Sequence, residues 1–348
     1  MRGANEILTE VRGRLGIITL NRAEALNALN LNMVEQLKVV LTGWGDDPRV
    51  DAILLRSASE RAFCAGGDVR SIGILPIPED RMVLGRAFFG TEYRVNLLIH
   101  NFSKPFISLI NGIAMGGGLG LSVHGSYRLV SENLRMAMPE TALGLFPDVG
   151  GTWFLNRCPG HIGRYLALLG SHIGAADALT AGLATHHVPQ AAFEHLTLDL
   201  ATAAHLDRKT IDAIIQGHAA STEGGTLASR AAKIDQLFAG DELDAVIARI
   251  DARASEADWI AEARAVLRRA SPISLRITWR RMVDGHTQSI ERILEDDFRV
   301  AVRMVAGHDF AEGVRAILVD KDGAPQWQPN SLEQVAEADI STLLAPLA

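Results

Sequence analysis

The segment Asn111–Gly125, NGIAMGGGLGLSVHG, puts three consecutive glycines, Gly116–Gly118, between an apolar stretch and a run that turns apolar at helical spacing. Each glycine inside a helix or strand costs roughly 0.5–1 kcal/mol, so three in a row mark a turn rather than the body of an element. The preceding KPFISLI, Lys104–Ile110, reads as a buried strand opened by Pro105. The chain must therefore pass from strand to helix at the triplet. A helix start presents backbone N–H groups without internal partners, at the positive end of the helix dipole. Such a turn suits a phosphate or a transient oxyanion. It matches neither G-x-x-x-x-G-K-[ST] nor G-x-G-x-x-G, which favours the oxyanion. Close helix–sheet packing would use the same glycines equally well.

A second turn of this kind lies upstream. FCAGGDVRS, Phe63–Ser71, follows the strand-like DAILLRS of Asp51–Ser57 and carries the pair Gly66–Gly67, with Asp68 placed to stabilise a first helical turn. Two glycine turns after two strands allow two amides to aim at one point. Downstream, MPETALGLFPDVGG sets Glu140 and Asp148 among Leu143, Leu145, Phe146 and Val149, while Pro139, Gly144 and Pro147 interrupt any regular helix. Burying charge is costly. The two acids are therefore either turn formers, with Asp148 suited to an N-cap before Val149-Gly150-Gly151, or parts of a site.

Around these turns, strand and helix patterns alternate. LGIITL (Leu15–Leu20), Tyr127–Glu132 and Arg135–Met138 read as further strands, and Met33, Leu37, Val40, Leu41 and Trp44 fall at helical spacing, as do stretches at 86–99 and 117–125. This predicts an α/β fold of stacked units over residues 1–190. From about Pro189 the chain becomes rich in Ala, Asp, Glu and Arg, and 191–348 is expected to be a helical extension packed on the core. Asp241 is expected to cap a helix carrying Leu243, Val246, Ile247 and Ile250. STEGGT, Ser221–Thr226, reads as a loop.

A net charge of −7 without a basic block makes nucleic acid an improbable partner, and no run reaches the ~18 apolar residues of a membrane span. The start, MRGANEILTEVRGRLGIITLNR, shows no signal core, and two cysteines fit a reducing compartment; a cytoplasmic protein is expected. No H-E-x-x-H or cysteine cluster suggests a metal, and the adjacent His186–His187 would point to opposite faces of a strand.

Taken together, NRAEALNALN (Asn21–Asn30), AFCAGGDVRSI, KPFISLINGIAMGGGLGLS and MPETALGLFPDVGGTWFL resemble the crotonase (enoyl-CoA hydratase/isomerase) superfamily. Within it, GLSVHGSYR, SPISLRITWRRM and GHDFAEGVRAILVDKDGAPQW are most similar to the 3-hydroxyisobutyryl-CoA hydrolase branch. The resemblance implies a crotonase-like spiral of stacked ββα units, an acyl-CoA substrate, no separate cofactor because coenzyme A is part of that substrate, and an oligomer, trimeric or hexameric. It places the oxyanion-hole amides at Gly67 and Gly117, beside Gly66 and Gly116. It sets Glu24-Ala25-Leu26-Asn27-Ala28 against the CoA moiety, with Ala65 and Asp68 flanking the acyl group. Glu92 then contacts substrate, and Glu140 and Asp148 are the functional carboxylates.

Glu140 could serve as general base toward water or attack directly to give a mixed anhydride. Asp148 would hold the substrate hydroxyl or polarise the water, and the apolar neighbours would raise a carboxyl pKa. Hydratases of this superfamily resemble GGG-x-E, whereas this chain reads Gly118-Leu119-Gly120. That departure favours thioester hydrolysis, of a short branched 3-hydroxyacyl-CoA as in valine catabolism; an enoyl-CoA hydratase/isomerase and a non-catalytic acyl-CoA binder stand as alternatives.

Overall fold

The computed structural model describes residues 5–347; Met1–Ala4, which the reading of the start included, lie outside the described residues. Leu15–Leu20 is buried at all six positions, as a strand covered on both faces must be. It forms β2, paired antiparallel with β1 (Ile7–Arg12) and parallel with β3 (Ala52–Ser57) in the register Leu15↔Ala52. β1 lies at the sheet edge and turns most of its residues outward. The short β4 (Ala62–Cys64) follows β3, and the pattern then repeats: β5 (Phe106–Ile110) with β6 (Ile113–Met115), and β7 (Tyr127–Val130) with β8 (Arg135–Ala137), before β9 (His186–His187). One sheet has the order β1-β2-β3-β5-β7-β9, and β4-β6-β8 form a second, all-parallel sheet. Each turn of the chain lays one strand in each sheet and then enters a helical segment, which is the stacked ββα spiral. This stacking matters for the site. β4 and β6 are parallel neighbours, so the turns leaving their carboxyl ends lie side by side.

The chain divides into two compact units. The first holds all nine strands of the described residues and comprises the chain up to Gly67 with Thr91–Ala137 and His172–Ala228; the second comprises Asp68–Gly90, Met138–Ser171 and the chain from Ser229 onward. The boundary expected near residue 190 is therefore not where the units part. The helices Phe193–Thr202 and Arg208–His218 belong with the sheet, because Leu196, Leu200, Ile211 and Ile215 bury one of its faces against Leu15, Leu54, Ile107 and Leu129. An uncovered parallel sheet would leave that apolar face in water. The second unit is helical, with long elements at Pro272–Asp284 and Ile290–Met304.

Local differences have local causes. The helix expected over 86–99 runs from Pro78 to His100; proline suits the first helical position, where its missing N–H costs nothing. Asp241 caps nothing: the helix Leu243–Arg253 has Glu242 at its N-cap, and the Asp241 carbonyl accepts from Trp279 Nε1 at 2.6 Å. The residues of STEGGT carry no helix or strand.

Candidate active site

In the first unit the two predicted amides share one small space. The helix Gly117–Ser122 starts at the middle glycine of the triplet, with Gly116 as its N-cap at a positive φ of +46°. A Cβ built on Gly117 would lie 3.2 Å from Gly67 N and would overlap Glu92 Oε1, and one built on Gly66 would lie 3.6 Å from Gly117 N. Only glycine fits at 117 while both amides and the carboxylate keep their places. At Gly118 a Cβ would meet the Cys64 carbonyl oxygen at 2.5 Å, so that glycine serves close approach of helix to strand. Close packing therefore accounts for the glycine at 118, while at 117 the missing Cβ leaves room between the two amides and Glu92.

The turn expected to face CoA is fixed to the same place. Ala23–Ala25 forms a 3₁₀ turn that ends with Leu26 and Asn27 both left-handed, at φ +51° and +55°. Asn27 is fully buried. Its Oδ1 accepts from Arg22 N at 2.8 Å, and its Nδ2 donates to Ser57 Oγ at 2.7 Å and to the Phe63 carbonyl at 3.0 Å. Ala65 N donates to Leu26 O at 3.0 Å, and Leu29 N to Gly66 O at 2.8 Å. Glu24 stays exposed, with Ala25, Leu26 and Ala28 partly so, leaving a polar backbone surface beside the amides. Asn27 stands in the predicted segment, but its clamping role does not follow from the resemblance. An Asn before Ala in an apolar run, tolerant of the left-handed region, is the signal that carries it.

Glu92 is 1 % exposed and lies against Gly117. One helical turn on, Asn96 is also buried, and neither of its side-chain polar atoms has a hydrogen-bond partner among the described residues. The Cys64 thiol, behind the glycine turn, is pushed up to about 12 by burial, with a smaller contribution from Glu92. It is a packed thiol, not a nucleophile.

The acids lie in the second unit. Glu140 opens the 3₁₀ turn Glu140–Leu143 and Asp148 follows eight residues on; they are 7 % and 8 % exposed. Burial raises the Glu140 carboxyl well above the ordinary carboxylate range, and repulsion from Asp148 raises it further. Its Oε2 has no hydrogen-bond partner among the described residues. The turn is held from outside: Ser271 N donates to Thr141 O at 3.2 Å, and Thr141 Oγ1 to Leu168 O at 3.2 Å. Gly144 (φ +70°) packs against the backbone of Asp309, and a Cβ at Gly313 would meet the Leu143 carbonyl carbon at 2.5 Å. Asp148 is not an N-cap; the short helix Gly151–Leu155 has Gly150 in that position and no side-chain cap. Asp68, also in the second unit, caps the helix Val69–Gly73 through Ser71 N at 3.4 Å.

A cavity of about 1000 Å³ belongs to the first unit and contains none of the predicted site residues. It opens at the carboxyl ends of parallel strands, where ligands of open α/β sheets usually bind, and is lined by Thr19, Arg56, Ser57, Asn111 and Gln190. Glu10, Glu60, Glu132 and Glu194 surround it with only Arg56 as cation, and Arg56 is already paired with Glu194 at 3.0 Å and Glu10 at 3.7 Å. That charge opposes a phosphate-bearing ligand, so geometry at the glycine turns outweighs cavity size. Among the described residues no cluster of His, Cys, Asp or Glu could hold a metal ion, and no helix is long and apolar enough to cross a membrane.

Residues 15–344 match the family described as enoyl-CoA hydratase/isomerase. The chain belongs to this family. Among similar proteins of this kind, the human "3-hydroxyisobutyryl-CoA hydrolase, mitochondrial" is 38 % identical over 343 residues, 97 % of this chain and 88 % of that one. The Xenopus laevis protein of the same name is 39 % identical over 340 residues, covering 96 % and 87 %. Two solved structures of similar fold are a carnitinyl-CoA dehydratase from Mycobacterium thermoresistibile and an enoyl-CoA hydratase from Rhodobacter sphaeroides. The first has TM-score 0.90 and 37 % identity, covering 99 % of this chain and 97 % of that one; the second has TM-score 0.88 and 37 % identity, covering 99 % and 98 %. The hydrolases carry the word mitochondrial in their names, which lends nothing to a cytoplasmic location. In this member of the enoyl-CoA hydratase/isomerase family, Gly120 stands two positions after the triplet, at the place of the glutamate in the GGG-x-E pattern, and it is buried within the helix Gly117–Ser122.

Proposed function

We propose that the protein hydrolyses a short branched 3-hydroxyacyl-CoA thioester of the 3-hydroxyisobutyryl-CoA type. The observation that carries this reading is the state of Glu140: a buried carboxyl, raised by burial and by Asp148, with an oxygen that no described residue occupies. Such a group, once ionised, is a stronger base than an exposed glutamate. The family, the near-full-length likeness to proteins named hydrolases, and the absence at Gly120 of the first hydratase glutamate support thioester cleavage over hydration.

In this reading the amides of Gly67 and Gly117 hold the thioester oxygen. Glu140 takes a proton from water as the water oxygen bonds to the carbonyl carbon. The negative charge that develops on the thioester oxygen rests on the two amides, where one donor is typically worth ~10²–10³ in rate. Collapse of the tetrahedral intermediate breaks the C–S bond, and the departing thiolate recovers the proton from Glu140. In the alternative route Glu140 itself attacks, and water then opens the mixed anhydride. Asp148 holds the substrate hydroxyl or polarises the water. Glu92 touches the acyl group beside Gly117, Ala65 and Asp68 flank it, and the turn from Glu24 to Ala28 lies along the CoA moiety. The reading requires amides and acids to address one carbonyl.

Coenzyme A is part of the substrate, and no further cofactor enters. A cytoplasmic location and a trimeric or hexameric assembly complete the proposal, read by cell fractionation and by light scattering. The principal experiment measures free thiol and ultraviolet loss together over a panel of acyl-CoA esters. Thiol release from 3-hydroxyisobutyryl-CoA, reduced by ~10²–10⁴ in Glu140→Gln, is expected. Loss of the crotonyl-CoA band without thiol would make it a hydratase, and thermal stabilisation by acyl-CoA without turnover a binder.

A further inference from the structure

Asp148 sits at the start of a strained turn. Val149, a β-branched residue, is left-handed at φ +53°, and Gly150 follows at φ +79°. A β-branched side chain in that region is an outlier that persists only where its surroundings over-determine the backbone. Here the surroundings come from residues far along the chain but within the same unit. Gly150 N donates to Asp297 Oδ2 at 2.9 Å, across 147 positions of sequence. The other oxygen of Asp297 accepts from the guanidinium of Arg281, which also donates to Ile293 O at 2.9 Å and pairs with Asp296 at 3.0 Å. Asp297 is fully buried and Arg281 is 4 % exposed. At the far end of the same segment, Asn156 Nδ2 donates to Met282 O at 3.0 Å. The stretch from Gly150 to Asn156 is thus tied at both ends to the helices Pro272–Asp284 and Ile290–Met304.

A buried ion pair contributes little net stabilisation, since desolvation of both charges offsets most of their attraction and apolar residues of similar volume often do as well. What an apolar pair cannot supply is an acceptor for the Gly150 amide. We infer that Arg281 and Asp297 are positioning residues: Arg281 orients the Asp297 carboxylate, and Asp297 holds the Gly150 amide so that the Asp148 side chain keeps its place beside Glu140. This rests on the reading that Asp148 takes part in catalysis. It also gives the C-terminal helices a role in turnover.

Two double variants separate positioning from mere stability. Arg281→Met/Asp297→Leu removes the charges and the acceptor but keeps the volume. Arg281→Gln/Asp297→Asn removes the charges and keeps an acceptor for Gly150. Both are compared with wild type and Asp148→Asn, below the melting temperature of each and per folded protein by near-ultraviolet circular dichroism. Arg281→Met/Asp297→Leu is expected to lose about 10²-fold in kcat with KM within about threefold, as misplacement by about 1 Å can cause. Its kcat–pH inflection should move toward that of Asp148→Asn. Arg281→Gln/Asp297→Asn should recover most of kcat. Equal kcat in the two doubles, or a loss that disappears once the folded fraction is counted, would overturn the inference. If Asp148→Asn is itself fully active, the functional reading of Asp148 fails and the positioning role falls with it. If Asp148→Asn is inactive while Arg281→Met/Asp297→Leu turns over normally, the positioning role alone fails.

Discussion

Gly117→Ala tests the amide pair with a single methyl. The new Cβ would stand 3.2 Å from Gly67 N and 3.2 Å from Leu29 Cδ1 and would collide with Glu92 Oε1. An oxyanion held by these amides needs its oxygen about 2.7–3.1 Å from each donor, so the methyl takes much of the place the oxygen must occupy. Losing one such donor costs ~10²–10³ in kcat, about 2.7–4 kcal/mol. The effect on folding should be smaller. Glu92 presents the end of a flexible side chain that can withdraw, and the tight contact with Leu29 is worth at most the ~1–3 kcal/mol of ordinary overpacking.

Two other glycines calibrate the result. Gly118→Ala would press on the backbone carbonyl of Cys64 at 2.5 Å and should damage the fold itself, whereas Gly43→Ala, with nothing within 4 Å, should leave turnover unchanged and stabilise its helix by about 0.5–1 kcal/mol. The assay is steady-state thiol release from 3-hydroxyisobutyryl-CoA, beside thermal denaturation of each variant. A folded Gly117→Ala protein with kcat/KM close to that of wild type would show that no oxyanion is bound at these amides.

The same structure makes further predictions. If Glu140 works as an ionised base, kcat should rise with pH through an inflection above the usual carboxylate value of 4.5; Asp148→Asn removes the repulsion and should move the inflection in any residual activity downward, while an inflection unchanged by that variant would exclude the coupling. Because the folded state raises this carboxyl, it holds more protons than the unfolded chain just above pH 4.5, so its ionisation costs stability as pH rises through the shifted value. Glu140→Gln should therefore melt higher than wild type at neutral pH, with the advantage fading below pH 4.5; a lower melting temperature at neutral pH would contradict the burial argument. Burial pushes both the Cys64 and Cys158 thiols up to about 12. The native protein should give no titre with a thiol reagent and two equivalents once denatured, and rapid native labelling would refute that packing.

Much of the fold was legible because its strands are buried. β2, β3 and β5 are near-continuous apolar runs, and a strand covered on both faces shows itself that way without alternation. β4 and β6, of three residues each, are too short to show any period, and they hide in the approach to the glycine turns they position. The helices at 193–218 carry an amphipathic pattern, but a pattern states that a face is covered, not by which neighbour. In the candidate site, Gly67, Gly117 and the two acids stand out because glycine triplets and acids in apolar company are locally anomalous. Arg281 and Asp297 do not. They sit in helices dense with charge, where each resembles a solvated residue, and the Gly150 amide that Asp297 holds lies 147 positions away.

The interleaving of the two units sets an order on synthesis. All strands and both glycine turns have left the ribosome once residue 228 is made, so the sheet half can complete itself early. The segments 68–90 and 138–171 must then wait for partners that are still untranslated. A chain cut short just before Asp297 would retain both glycine turns and both acids and still lack the anchor beneath Asp148, and no contiguous deletion removes one half cleanly. For a protein built in this way, premature termination near the 3′ end of the message should be as damaging as a lesion among the glycines.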